Sequence, residues 1–260
     1  MHTKLKSQIR LIRWMIRRVR LLEIRKHTCR VSVIEISYTY RCIYKQISCK
    51  TKSKSSMEEE KNMTGWNAIT DTFLKLYPKQ TEPLHFAPLF SYRLGGDPLD
   101  NINVYESDDF FHFVSYGLSE LYEKESEDKE YSGYGFEFTL KLKKSSLNNV
   151  QNELECVCGI LQSLAGETFS NGSIFQPFEY IYTGQTNGID SEGLSELTGF
   201  VTILDEAGEI TTPNGKLQFV QLVGVTNNEL QQIMDKRLTV QELITQLGHS
   251  ITDYKRGSIV

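Results

Sequence analysis

Hydrophobic and polar residues alternate most regularly between positions 134 and 143. Tyr134, Phe136, Phe138, Leu140 and Leu142 occupy every second position, and Gly135, Glu137, Thr139, Lys141 and Lys143 fill the gaps. A period of two predicts a strand with one buried face. The run 110–116 is apolar or aromatic on both faces, which predicts a strand covered on both sides. Helical spacing appears at Trp66, Ile69, Phe73 and Leu76, with Thr64 as the expected N-cap and Pro78 just past the end. A longer helix is expected from Val150 through Leu154, Val157, Leu161, Leu164 and Ala165, closed at Gly166. Residues 86–94 read as a strand, and Pro88 places it at an edge. Residues 167–196, rich in Gly, Ser, Thr and Asn, read as an irregular exposed crossover.

Strands are expected at 199–204 and 217–225, separated by the Pro213-Asn214-Gly215 turn. Two helices follow, each opened by an S/T-x-x-E capping box, at Thr226/Glu229 and Thr239/Glu242. Gly248 closes the second, and a last strand-like piece ends the chain. Strands and helices are interspersed without regular βα alternation. The predicted fold class is therefore α+β, a mixed and mostly antiparallel sheet packed with several helices.

Charge divides the 260 residues in two. Positions 1–56 carry a net charge of +13, and the remainder carries −17. Within the basic leader, Ile9, Ile12, Met15, Ile16, Val19 and Leu22 fall on one helical side and Arg10, Arg13, Arg17 and Arg20 on the other. That is the pattern of an amphipathic surface helix. The alternative, which the sign change at Met57 favours, is that residues 1–62 precede the native start at Met57 or Met63 and that 63–260 form the domain. A membrane partner is expected only if the leader is genuine. No apolar run approaches the ~20 residues that span a bilayer, and a secretory signal is missing. Cysteine usage is sparse outside the leader, which fits a reducing cytoplasm.

Candidate catalytic groups are few. His85, His112 and His249 lack metal-ligand spacing, so neither a metal nor a cofactor is expected. His112 reads as a hydrogen-bonded core residue. Cys156 and Cys158 lie in an apolar helix, where thiols are inert, and no G-x-S-x-G elbow is present. The acidic run from Glu123 to Glu130 reads as a solvated loop. A hydrolase built on Glu137 is the remaining enzymatic alternative. An acidic body would repel a phosphate backbone, which argues against nucleic acid as a partner.

Several of these segments carry a resemblance. The order H-x-x-S-Y-G-L-S-E-L-Y from His112 to Tyr122, an acidic loop, and then S-G-Y-G-F-E-F-T-L-K-L from Ser132 to Leu142 resembles the Suppressor of fused (SUFU) family. Leu76-Tyr77-Pro78, Leu94-Gly95-Gly96-Asp97-Pro98-Leu99-Asp100 and Ile251-Thr252-Asp253-Tyr254-Lys255-Arg256-Gly257 agree with it, over roughly 66–258. The resemblance implies a stand-alone domain of the family's N-terminal type, binding another polypeptide without catalysis. Gly95, Gly96, Asp97, Pro98, Asp100, Gly117, Ser119, Gly133, Gly135 and Glu137 match the family's structural motif. Tyr122, Asp128, Glu130 and Tyr131 fall where the family contacts its ligand, and Tyr rings beside an acidic loop suit a basic, partly apolar partner at an open strand edge. The expected role is that of a bacterial immunity-type protein that neutralises a toxin. A Hedgehog-pathway-type regulator sequestering a transcription factor is the alternative, weakened by the lack of a second domain after Val260.

Overall fold

The computed structural model describes residues 62–88 and 96–260. Expectations for the basic leader, for Gly95 and for the end of the 86–94 strand lie outside those residues. The apolar runs assemble into one seven-stranded sheet: β1 (Leu84–Phe86), β2 (Asn101–Glu106), β3 (Phe110–Tyr116), β4 (Tyr131–Lys143), β5 (Tyr180–Ile181), β6 (Leu197–Thr212) and β7 (Gly215–Thr226), in the order β1-β2-β3-β4-β7-β6-β5. Only β4 and β7 run parallel; the other named pairs are antiparallel. Four helices accompany the sheet among the described residues: α1 (Thr64–Leu76), α2 (Val150–Asn171), α3 (Asn227–Met234) and α4 (Val240–Leu247). The α+β class with a mixed sheet is as expected.

Side chains alternate across a strand, so each strand serves two cores. On one face Phe136, Phe138, Leu140, Val220 and Leu222 pack with Leu154, Val157, Leu161 and Leu164 of α2. On the other, Ile69 and Phe73 of α1 cover Tyr105, Val114, Tyr116 and Phe219. Leu230 and Ile233 of α3 and Val240 and Leu243 of α4 cover Val201, Val223 and Val225. Covering both faces corrects the reading of β4 as a half-buried strand. Its polar positions Glu137, Thr139 and Lys141 are buried too, and the alternation marks which helix each face meets.

Two boundaries also shift, and one segment is more buried than expected. Thr64 begins α1 and does not cap it: the cap position is Met63, and the Thr64 N–H takes Asn62 Oδ1 at 3.2 Å. Helix α2 runs past Gly166 to Asn171, ending on Gly172 in the left-handed conformation (φ 66°), while Phe169 in the added turn meets the Tyr134 ring edge-on. The 167–196 segment is less exposed than expected, because Phe175, Ile181 and Ile189 enter the main core. Both capping boxes form as read, and Gly248 closes α4 in the left-handed conformation. The end of the chain is clasped onto the sheet. Thr252 bridges Leu142 in parallel, and Arg256 reaches Glu229 with both nitrogens, at 2.6 and 2.7 Å.

Candidate functional site

The segment joining β3 to β4 (117–130) lies at the end of the sheet where β4 and β7 begin. Its start is fixed by Glu137, a fully buried carboxylate on β4. Glu137 Oε1 accepts from the Gly117 N–H (3.0 Å), the Ser119 N–H (2.9 Å) and the Ser119 hydroxyl (2.7 Å), and Oε2 accepts from the Ser115 hydroxyl (2.6 Å). Burial raises its pKa to about 7, against the lowering effect of those donors. The donors come from the end of β3 and from the loop that follows it, so Glu137 holds the loop onto β4. Gly117 sits at φ 138° with the 98–100 backbone close against it, and its carbonyl neighbour Tyr116 accepts the Asp100 N–H at 2.9 Å. The two glycine-bearing motif segments are therefore packed on each other.

Glu120 organises the acidic part. Its carboxylate accepts from the Glu125 N–H (2.7 Å), the Ser126 N–H (2.6 Å), the Gly133 N–H (3.1 Å) and Lys124 Nζ (2.8 Å). Burial opposes its ionisation, but Lys124 and the three N–H groups outweigh burial and leave the carboxyl below its ordinary value. Asp128 accepts the Glu130 and Tyr131 N–H groups, which lower its pKa. The loop is buttressed from outside as well. Asn214, in the β6–β7 turn, donates to the Glu120 carbonyl (2.8 Å) and the Tyr122 carbonyl (3.2 Å). The Trp66 N–H at the start of α1 donates to the Leu121 carbonyl at 2.9 Å.

On this scaffold Tyr131 is 43 % exposed, and Asp128 and Glu130 are exposed beside it. Tyr122 is half-buried; burial, with the Asp100 carboxylate that accepts its hydroxyl, pushes its pKa up to about 12. The four residues read as partner-binding thus share one loop. Asp100, matched from sequence to the family's structural motif, joins them through Tyr122, and Glu120 and Asn214 support them. No sequence signal singled out Asn214 beyond its turn; Glu120 stood within the matched motif.

The expected open strand margin beside Tyr122 is not found among the described residues. Strand β4 lies between β3 and β7, and its first N–H groups are already engaged: Gly133 by Glu120, Tyr134 by the Leu118 carbonyl and Phe138 by Ser115 Oγ. What the surface offers is side chains held in fixed positions.

The described histidine chemistry is internal. His112 is buried between Tyr77 (hydroxyl to Nδ1, 2.8 Å) and Asp205 (Nε2 to Oδ2, 3.0 Å), as expected of a core residue, and Thr139 donates to the same Asp205 oxygen at 2.8 Å. Burial resists ionisation of Asp205, yet the His112 hydrogen bond holds its pKa below the usual value. Among the described residues no three His, Cys, Asp or Glu side chains are grouped to hold a metal ion, and no helix is long and apolar enough to cross a membrane.

The profile of the Suppressor of fused protein (SUFU) family matches residues 95–257. The chain belongs to the Suppressor of fused family. It is 28 % identical to the human Suppressor of fused homolog over 219 residues, covering 75 % of this chain and 44 % of that protein. The chain thus spans less than half the length of the curated relatives it matches. Among solved structures, one in the Sufu–Fu complex superposes with a TM-score of 0.66 at 28 % identity, covering 76 % of this chain and 92 % of that one. Drosophila Suppressor of fused superposes with a TM-score of 0.65 at 27 % identity, covering 78 % and 54 %. Three of the SUFU segments quoted from the sequence meet around the loop: Gly96–Asp100 against Gly117, and Ser119 and Gly133 on Glu137 and Glu120.

Proposed function

We propose that this SUFU-family domain is a non-enzymatic protein-binding module that captures a basic, partly apolar polypeptide segment at the loop carrying Tyr122, Asp128, Glu130 and Tyr131. The observation that carries this reading is preorganisation. Glu137, Glu120, Asp128 and Asn214 fix the loop backbone through hydrogen bonds before any partner arrives, so little ordering cost remains for binding. An exposed aromatic ring beside carboxylates supplies both an apolar anchor and charge complementarity.

Two finer roles fit this chemistry. A regulator that sequesters a transcription factor, of the Hedgehog-pathway type, is favoured by the relatives, which are Suppressor of fused proteins, one of them solved in complex with Fu. A toxin-neutralising immunity protein is favoured only by the net charge of −17 from Met57 onward, which would speed association with a basic toxin. Both roles place the protein in the cytoplasm. A photo-crosslinking residue at position 131 of the full chain, expressed in the source cells, tests the site and separates the roles by the identity of the captured protein. Capture of one polypeptide through a Lys- or Arg-rich segment, lost in Tyr122→Asp, is the expected result. Crosslinking that is diffuse, or indifferent to Tyr122, would overturn the assignment of this loop.

A further inference from the structure

The opposite end of the sheet, where β6 begins and β7 ends, carries a second built loop. Residues 188–195 are wound tightly around Asp190, which is almost fully buried and accepts the Leu194 N–H (3.0 Å) and the Ser195 N–H (2.7 Å). From α2, Glu153, 4 % exposed, accepts both the N–H (3.0 Å) and the hydroxyl (2.6 Å) of Ser191. Ile189 anchors the turn in the main core. Two buried carboxylates are costly to keep, and here both hold one turn in shape.

At its tip stands Leu194, 77 % exposed, the most exposed large apolar side chain among the described residues. Exposed Glu192 and Glu196 flank it. The C-terminal tail comes alongside: Gly257 lies next to the Glu196 carboxylate. Two residues on, Ile259 is 42 % exposed, with its N–H on Glu229. A single exposed leucine needs no explanation; a leucine held out by buried carboxylates, between two exposed glutamates, is a different case.

We propose that Leu194, with Glu192 and Glu196, forms a second docking surface, distinct from the Tyr131 loop, for a short polypeptide segment whose aliphatic or aromatic residues are bracketed by Lys or Arg. The choice of occupant rests on charge complementarity, since apolar contact at the tip and attraction at its flanks act together. It does not depend on what the Tyr131 loop binds, because the two surfaces lie at opposite ends of β7: Lys216 pairs with Tyr131, and Thr226 with Leu197.

The test uses a random linear-peptide display library panned against the full chain, with enriched peptides resynthesised and their affinities measured. At least one enriched class should carry Lys or Arg around an apolar residue and lose about tenfold or more in affinity for Leu194→Asp. It should bind Leu194→Met and Tyr131→Ser as well as the unaltered protein, weaken as salt is raised, and be lost when Glu192 and Glu196 are both replaced by Lys. Ser191→Ala, which loosens the turn and leaves Leu194 in place, should weaken it several-fold. Unchanged urea-unfolding midpoints for the Leu194 variants would confirm that binding alone is being read. If no peptide class depends on Leu194, or if the dependent peptides lack basic residues and ignore salt, the proposal fails.

Discussion

Glu229 and Glu137 are both fully buried glutamates, and each holds a chain segment onto the sheet. Glu229 holds the C-terminal tail through a cation, Arg256, which also donates to the Gly224 carbonyl at 2.9 Å. Glu137 holds the start of the 117–130 loop with neutral donors only, two hydroxyls and two backbone N–H groups. The contrast shows two solutions to one problem. A buried charge can be met by an opposite charge, which makes the pair indispensable to itself. It can instead be met by dipoles, which offset only part of the burial penalty and leave the pKa raised to about 7.

The largest effect is expected from breaking the charged solution. Arg256→Ala would leave Glu229 buried without its cation and should lower unfolding free energy by about 3–5 kcal/mol in urea titrations. Arg256→Lys should recover only part of that, since an ammonium cannot serve both oxygens at once. A loss below about 1 kcal/mol would place the tail outside the cooperative unit.

The neutral solution should be visible as pH dependence. The folded pKa of Glu137, raised by burial to about 7, exceeds its ordinary value of 4.5. Between those values the folded state binds more protons than the unfolded one, so stability is greatest below pH 4.5 and falls as pH rises towards 7. The buried Asp205 acts in the reverse sense, with a depressed pKa whose contribution is lost only on acidification below the ordinary Asp value of 3.8. The two windows do not overlap. Glu137→Gln should therefore flatten the decline between pH 4.5 and 7. At pH 5 the variant should be less stable by about 1–3 kcal/mol, because an amide cannot accept from every donor, and the two proteins should converge towards pH 8. Parallel curves across that range would show that Glu137 does not carry the slope.

This contrast also marks how far the sequence could be read. The capping box of α3 was legible because its two residues are three apart and the helix period follows immediately. That its Glu229 also binds Arg256 was not, because nothing periodic links positions 27 residues apart. The alternation along β4 was legible, but alternation reports only that two faces differ. It cannot report that Glu137, Thr139 and Lys141, on the other face, are buried as well. The candidate loop behaved similarly. Tyr122, Asp128, Glu130 and Tyr131 could be named from the family motif and its acidic run, whereas the engagement of Asp100 by Tyr122 and the buttress from Asn214 depend on tertiary packing.

The smallest stability effect should be the most informative about the site. Gly135 and Gly172 both sit at left-handed φ, 77° and 66°, so replacing either with Ala should cost about 1–2 kcal/mol of backbone strain. Their surroundings differ. A Cβ on Gly172 meets nothing within 4 Å, but one on Gly135 lies 3.1 Å from Cδ1 of Tyr131 and 3.4 Å from its Cβ and Cγ, so the ring must shift. The two variants should therefore match in thermal and urea unfolding while diverging in affinity for the captured polypeptide, measured with Tyr131 in place, with Gly172→Ala unaffected and Gly135→Ala weakened by more than its stability loss explains. If both bind alike, the placement of the Tyr131 ring is irrelevant to recognition, and the acidic groups around it would have to carry the binding alone.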